Sequence, residues 1–436
     1  MARRLLLLLV CLAAAGGCDR AVLEPVGTDL LVADPDLGVV QLDPDVTLRL
    51  RAPEFSGPLT VRVNRQPAPF DSAQGAFVVR VQLARGLNAL PVDVTDDAGA
   101  VERDTLYAVH LPIQPVRLSG LAGAARRADA GAGAVSSAQW VVAGGTGPDG
   151  RALASADDVT QGSSGQVQAQ TFALQTARTG HTATPLDGGV LLLGGTTTDA
   201  PSRAADFVAG GEWVGPDGRT RPVSVDGGVG RTRHTARALS TEAGTFLYLY
   251  GGLAPAGDGV ARSGTVDVYR VDGTDFESGL VRLSPAGGTG SFPAVADHLQ
   301  VETGATSAAV RGLGADEPVA FSFVWSRPGT ATLPFSLRAA PARTPPATAR
   351  AGAASVDVGG GLALVVGGRT AGGEALATLE VFSAETGRSF LVPPSVGLRT
   401  ARYDHAATFL GGGRIVVAGG RTDGGAVISA YEAFQL

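Results

Sequence analysis

Trp140-Val141-Val142-Ala143-Gly144-Gly145 is an apolar run closed by two glycines, and the chain writes it again and again. It returns as Leu191-Leu192-Leu193-Gly194-Gly195, Leu247-Tyr248-Leu249-Tyr250-Gly251-Gly252, Leu364-Val365-Val366-Gly367-Gly368 and Ile415-Val416-Val417-Ala418-Gly419-Gly420. Ahead of each run stands Arg-x-x-His or a decayed form of it: Arg127 with Ala130, Arg178 with His181, Arg231 with His234, Arg350 with Ala353, and Arg402 with His405. A sixth, degenerate copy is read from Thr303-Gly304-Ala305-Thr306, with Phe321-Ser322-Phe323-Val324-Trp325-Ser326 in place of the apolar run. The His positions are then 130, 181, 234, 305, 353 and 405, in steps of 51, 53, 71, 48 and 52, with an insertion between Tyr269 and Thr303. A repeat of this length is one supersecondary unit that buries its apolar face only against its neighbours. The glycine pairs mark places that need positive φ or cannot hold a side chain beside the next unit.

A third signal follows each glycine pair, an acidic or aromatic strand such as Val266-Asp267-Val268-Tyr269, Leu379-Glu380-Val381-Phe382 and Ala430-Tyr431-Glu432-Ala433-Phe434. With the period and the glycine pair, it resembles the kelch repeat over residues 113–436. That resemblance implies an all-β fold, a six-bladed propeller of four-stranded blades. The last repeat ends after its third strand, while Pro115-Val116-Arg117-Leu118-Ser119 precedes the first, so residues 113–119 are expected to complete the last blade.

Residues 34–112 carry a different rhythm, alternation of period two at Val46, Leu48 and Leu50, at Leu59, Val61 and Val63, at Phe77, Val79, Val81 and Leu83, and at Leu90, Val92 and Val94. Half-buried strands at this spacing predict a small antiparallel sandwich, and the segment resembles the immunoglobulin-like modules of exported bacterial proteins. Asp93, Asp96 and Asp97 read as a polar turn ending in Gly99 rather than a calcium loop, because the run lacks enough oxygen ligands.

The N-terminus reads as an address. Met1-Ala2-Arg3-Arg4, the apolar run Leu5 to Ala15, and small residues up to Cys18 have the parts of a signal peptide over residues 1–17. The apolar run is too short to span a bilayer. Ala15-Gly16-Gly17-Cys18 resembles a bacterial lipobox, which implies that Cys18 is lipidated and becomes the first mature residue. Cys11 is lost with the signal, so Cys18 is left as the one thiol, and residues 18–33 are read as a tether. The expected partner is thus a membrane, and the expected location the cell envelope. Asp19 resembles the inner-membrane retention signal of enteric bacteria, yet the outer membrane is the favoured destination.

Composition narrows the remaining classes. Of 436 residues 62 are glycine, 17% are charged, and all 35 basic residues are arginine, with a net charge of −6. No basic block could neutralise a phosphate backbone, which excludes nucleic acid as a partner. His181, His234 and His405 share one repeat position and are read as structural groups in separate blades, not a zinc site. Arg178, Arg231, Arg350 and Arg402 are read as hydrogen-bond donors between blades. Asp297 and His298 are assigned to the insertion, outside the repeat, as a solvated pair, and His110 as incidental. Gly359-Gly360-Gly361 and Gly411-Gly412-Gly413 are read as hairpin turns between first and second strands.

No catalytic residue, cofactor or metal is assigned. Kelch-type copper-radical oxidases need a Cys joined to a Tyr, and no Cys follows Cys18. The function expected is that of a lipid-anchored, non-enzymatic scaffold binding protein or carbohydrate through propeller loops. The alternative is a periplasmic sugar mutarotase or epimerase, which would need a carboxylate and an arginine facing the central channel. Phe321, Phe323 and Trp325 mark a distinctive surface candidate, with a core strand as the plainer reading.

Overall fold

The computed structural model describes residues 32–52, 57–119, 124–162, 166–241, 244–271, 279–283, 294–304, 307–312, 320–326, 336–341 and 350–436. Cys11, Cys18 and the rest of the signal and lipidation assignment lie outside the described residues. Among those residues the fold is all-β, built of four-stranded antiparallel sheets.

Two sheets occupy residues 32–110. One contains Asp45–Arg51 and Ala76–Gln82, the other Thr60–Val63, Gly86–Thr95 and Val101–His110. Their alternating apolar residues meet in one core that includes Leu48, Leu50, Val63, Val79, Val92 and Val94. Asp93, Asp96 and Asp97 flank a turn in which Asp96 accepts from the Ala100 N–H, and Asp93 pairs with the exposed Arg103.

Six further four-stranded sheets follow in chain order, over residues 131–173, 182–223, 235–283, 298–341, 354–391 and 406–435, with a two-stranded hairpin of Leu253–Ala256 and Gly259–Arg262 inside the third. In each complete repeat the apolar run is the second strand, for example Gln139–Ala143 and Leu362–Val366, and is buried along its length apart from its first residue in some copies. Burial on both faces follows from stacking. Apolar clusters bridge the first and second sheets, the second and third, the fourth and fifth, and the first and sixth. The innermost strands contact one another in sequence, and Gly131–Ala134 touches Ala406–Leu410 as well as Thr182–Leu186, so the series returns on itself. This is the arrangement of a β-propeller. The sixth sheet takes its fourth strand from Gln114–Val116, which pairs antiparallel with Tyr431–Gln435 in the register Ala433 to Val116 and Gln435 to Gln114.

The arginines of the repeat point into their own sheet, which corrects the expectation that they donate between blades. Arg127 Nη1 donates to the carbonyls of Gly144 at 2.7 Å and Ser155 at 3.0 Å, and Nη2 to Asp157 at 3.0 Å. Arg350 repeats this with Gly367, Thr378 and Glu380, and Arg402 with Gly419, Ala430 and Glu432. Arg178 and Arg231 do the same towards Glu212 and Asp267. Each guanidinium thus ties the end of the second strand to the third, where the acidic residue of the repeat lies. The link between sheets is made by the backbone. The N–H groups of Gly145, Gly195, Gly368 and Gly420 donate to the carbonyls of Arg178, Arg231, Arg402 and Arg127, the last closing the ring. Gly144 shows why a side chain fails here: at φ +56 a Cβ would run into the Arg178 carbonyl and the His181 ring.

The fourth repeat is registered differently from the sequence reading. Gly252 donates to Val295, not to an arginine, so Val295-Ala296-Asp297-His298 is the Arg-x-x-His of this repeat. His298 therefore belongs to the repeat and not to an insertion, and the His positions become 130, 181, 234, 298, 353 and 405. Ala320–Ser326, with Phe321, Phe323 and Trp325, is the third strand of its sheet, and Ser307–Gly312 is the second. The misreading arose because the arginine that anchors the pattern is a valine here and the second strand has lost its apolar run.

The sandwich and the ring are not merely strung together. The Val40 N–H donates to Leu391 and the Leu391 N–H to Gly38, so residues 38–40 run beside the outer strand Ser389–Leu391 of the fifth sheet. Val40, Val109, Leu111 and Ile113 share one core with Leu364, Phe390 and Phe434. His110 lies inside this junction, its Nδ1 2.9 Å from the Gln41 carbonyl.

Candidate functional site: the axial mouth

Between the arginine and the His position of each repeat lies a residue with left-handed backbone: Asp129 (φ 51), Gly180 (φ 64), Arg233 (φ 54), Asp297 (φ 51), Gly352 (φ 61) and Asp404 (φ 52). At five of the six the turn lets the chain enter the innermost strand while its N–H reaches the neighbouring sheet. Gly180 donates to Asp129 at 2.9 Å, Arg233 to Gly180 at 2.7 Å, Asp297 to Arg233 at 3.2 Å, Asp404 to Gly352 at 2.7 Å and Asp129 to Asp404 at 2.7 Å. These bonds form a collar of backbone around the axis. Glycine, and to a lesser degree aspartate, tolerates this conformation, whereas an arginine in it costs about 1 kcal/mol or more. Four of the six positions carry charged side chains; the three aspartates suit the conformation, and Arg233 alone runs against it.

Those side chains pair across the mouth. Arg233 Nη2 lies 3.1 Å from Asp129 Oδ2 and Nη1 3.4 Å from Asp297 Oδ2. From the loop beyond the glycine pair, Arg421 reaches Asp199 at 2.9 Å and Asp404 at 3.5 Å. Thr146 also donates to Asp199, at 3.2 Å. Burial, then the Asp129 charge, pushes the Asp404 carboxyl up to about 7. Burial likewise raises Asp129, against the attraction of Arg233. The four carboxylates around it, Asp129 first and then Asp297, Asp404 and Asp199, hold the Arg233 guanidinium above its ordinary value.

Behind the collar lies a layer of imidazoles. His181, His234, His298 and His405 are each about 5–6% exposed, and burial lowers all four, His298 and His405 to about 3, so they are neutral at ordinary pH. His234 Nε2 meets Thr182 Oγ1 at 3.3 Å and His298 Nε2 meets Thr235 Oγ1 at 2.9 Å, in each case the first strand residue of the preceding sheet. The sheets preceding His181 and His405 offer Gly131 and Ala354 there; neither ring nitrogen of His181 has a hydrogen-bond partner, while His405 is left with the Val366 backbone. His181, His234 and His405 do lie in separate sheets, yet the ring brings them together at the axis. All three line one cavity of about 120 Å³ together with Asp129, Arg233, Asp297 and Asp404. A second cavity of about 250 Å³ adjoins it, sharing Asp129, Gly180 and Arg233 and extending to Thr179, Asp199 and Pro201. The innermost strands also line a cavity of about 380 Å³, walled by alanines such as Ala132, Ala183 and Ala236, where Arg237 pairs with Asp357 at 2.8 Å. Among the described residues no group of three or more His, Cys, Asp or Glu is placed to hold a metal ion, and no helix is long and apolar enough to cross a membrane.

The mouth can hold a small polar ligand, accept hydrogen bonds through carboxylates, donate through guanidinium groups, and exchange a proton near neutrality at Asp404. Of its members, the sequence reading singled out the histidines and Asp297 but not Asp129, Asp199, Arg233, Asp404 or Arg421. The signal lay in the column between Arg and His, which reads Asp, Gly, Arg, Asp, Gly, Asp while its neighbours repeat. The surface candidate around Phe321, Phe323 and Trp325 involves side chains outside those the structure describes.

No protein-family model matches the chain, and no curated protein matches it. Among solved structures it is similar to one titled "Structure of YjhT", with 12% identity over 71% of this chain and 95% of that one, at a TM-score of 0.46.

Proposed function

We propose that the protein is an exported lipoprotein, anchored through Cys18, whose immunoglobulin-like sandwich carries a six-bladed kelch-type propeller that binds a small glycan at its axial mouth. The observation that carries this reading is the collar, in which equivalent residues that build the ring also present Asp129, Arg233, Asp297 and Asp404 to one cavity. Carboxylates and guanidinium groups in a concave polar site suit sugar hydroxyls, which both donate and accept. The cavity sizes favour a glycan unit over a protein epitope, which the outer loops would have to bind.

Catalysis is a second reading with an observation of its own. The carboxylate and arginine that a sugar mutarotase or epimerase would need towards the channel have candidates in Asp404, which carries a proton near pH 7, and Arg421 beside it. Titrating the full chain with a panel of monosaccharides, and following anomer exchange by NMR in the same tubes, tests both. Binding that is lost in Arg233→Ala without anomer exchange supports the scaffold. Turnover abolished by Asp404→Asn supports the enzyme, and failure of every sugar to bind overturns the axial site. Mass spectrometry of the membrane fraction checks the anchor, where acylated Cys18 is expected at the mature N-terminus.

A further inference from the structure

The sandwich has two ends, and they differ. Val101–His110 runs its length, from the turn at Asp96–Gly99 to the junction with the ring at His110, a span of about 30 Å for a strand of this size. At the end away from the ring lies an open cavity of about 600 Å³, walled by Leu50, Ala52, Leu59, Phe70 and Phe77, with the exposed Arg51 beside them. Phe70 meets Phe77 edge-on, ring centroids 5.2 Å apart, yet it stays 58% exposed. Val101, 46% exposed, stands opposite Thr95 at the same end, where Thr95 in turn faces Thr60. Of the three large apolar side chains that are exposed among the described residues, two therefore belong to this pole, and the third, Leu391, lies on the ring. Single exposed apolar residues are ordinary, but an aromatic ring beside an open apolar cavity marks a surface that meets something.

The chain enters the fold at this same pole. Val32 pairs with Arg51 and Asp34 with Arg49, so the backbone leading back to Cys18 leaves the sandwich beside the cavity and on the side away from the ring. Fourteen residue steps separate Cys18 from Val32, and such a stretch reaches at most about 50 Å. We infer that this pole docks on the bilayer, with Phe70 among the headgroups and an acyl chain of a membrane lipid in the cavity. The inference rests on the lipid anchor at Cys18. An anchor confines the pole to the membrane surface, so a patch too small to hold a free protein there is enough to orient a tethered one. Arg51 and Asp97 are both exposed at this end and offset each other, which leaves the apolar contact as the source of the hold. Docked in this way the sandwich stands upright and lifts the ring off the lipid by its own length.

Fluorescence quenching in vesicles tests this. The full lipidated chain, carrying Phe70→Trp or, as the contrasting position, Leu391→Trp, is reconstituted in phosphatidylethanolamine and phosphatidylglycerol whose chains are plain or brominated near the headgroup. Both positions are substantially exposed, thermal unfolding checks that each variant keeps its fold, and the emission of the native tryptophans is subtracted using the unsubstituted chain. Brominated lipid is expected to quench the added emission of Phe70→Trp at least about twofold and to leave that of Leu391→Trp almost unchanged. Flotation of the same vesicles reports on the anchor separately. Protein that floats without quenching at position 70 overturns the docking and leaves the anchor standing, whereas protein that fails to float removes the anchor and the docking together. Blue-shifted emission from position 70 without quenching would give the cavity to the protein's own acyl chains, which carry no bromine, and overturn the bilayer lipid as occupant. Equal quenching of the two variants would overturn the upright arrangement.

Discussion

Arg127, Arg178, Arg231, Arg350 and Arg402 hold one position of the repeat, and Asp129, Gly180, Arg233, Asp297, Gly352 and Asp404 hold another two residues on. The first position is the same in five repeats, turns into its own sheet and is at most 4% exposed. The second changes from repeat to repeat, turns towards the axis, and is fixed in backbone alone. Both contain charged residues, so charge by itself does not tell them apart. What does is the company each keeps. The arginine meets two carbonyls and a carboxylate of the same sheet every time, and such a uniform set of partners is the signature of construction. The collar residue meets whatever its neighbours happen to be, and variation there leaves the ring intact while changing the site.

Removing a member of the first set should be costly. Arg402→Ala strips two carbonyls and the Glu432 carboxylate of their donor in a buried setting, and a loss of roughly 3–5 kcal/mol in chemical unfolding is expected. A loss below about 1 kcal/mol would dissolve the distinction between the two positions. Burial pulls the Arg402 guanidinium below its ordinary value, with Glu432 opposing.

The collar should behave in the opposite sense. Asp404 is raised to about 7 in the folded chain, against about 3.9 when unfolded. Between those values the folded state binds the extra proton, so Asp404 costs stability as pH rises through this window and the full cost is felt above pH 7. Asp404→Asn is therefore expected to stabilise the protein by on the order of 2 kcal/mol at pH 8 and to do little at pH 4. A destabilising effect at pH 8 would mean that the carboxylate is part of the frame. The smallest effect is expected one layer in. Ala354→Thr supplies His405 with the hydroxyl that Thr182 and Thr235 give to His234 and His298, and a gain of about 1 kcal/mol would mark the imidazole layer as structural.

The repeat made much of the architecture readable. Gly pairs, apolar second strands and the sandwich's alternation each follow from a local rule, because a strand's period and a turn's φ are properties of a few consecutive residues. Even the closing strand at Gln114–Val116 could be inferred, since a sheet with an unpaired edge needs one. His298 was misplaced for the complementary reason. Its register depends on Val295 accepting from Gly252, a contact between sheets that no local spacing reveals. The candidate site was hidden more deeply. Asp129 and Arg233 are 104 residues apart and meet only because the ring brings equivalent turns to one axis. The acidic residues of the third strands were noticed as a pattern, yet their pairing with the arginines also needed the sheet.

The collar link from Asp129 to Asp404 has a consequence for how the protein is made. Its two ends are the first and last turns of the ring, and the sheet beside it is completed by Gln114–Val116 meeting Tyr431–Gln435. During synthesis, every earlier sheet can be present while the mouth is still an open arc. Nothing that recognises the mouth can therefore engage a nascent or truncated chain, and ligand capture would report on finished molecules alone.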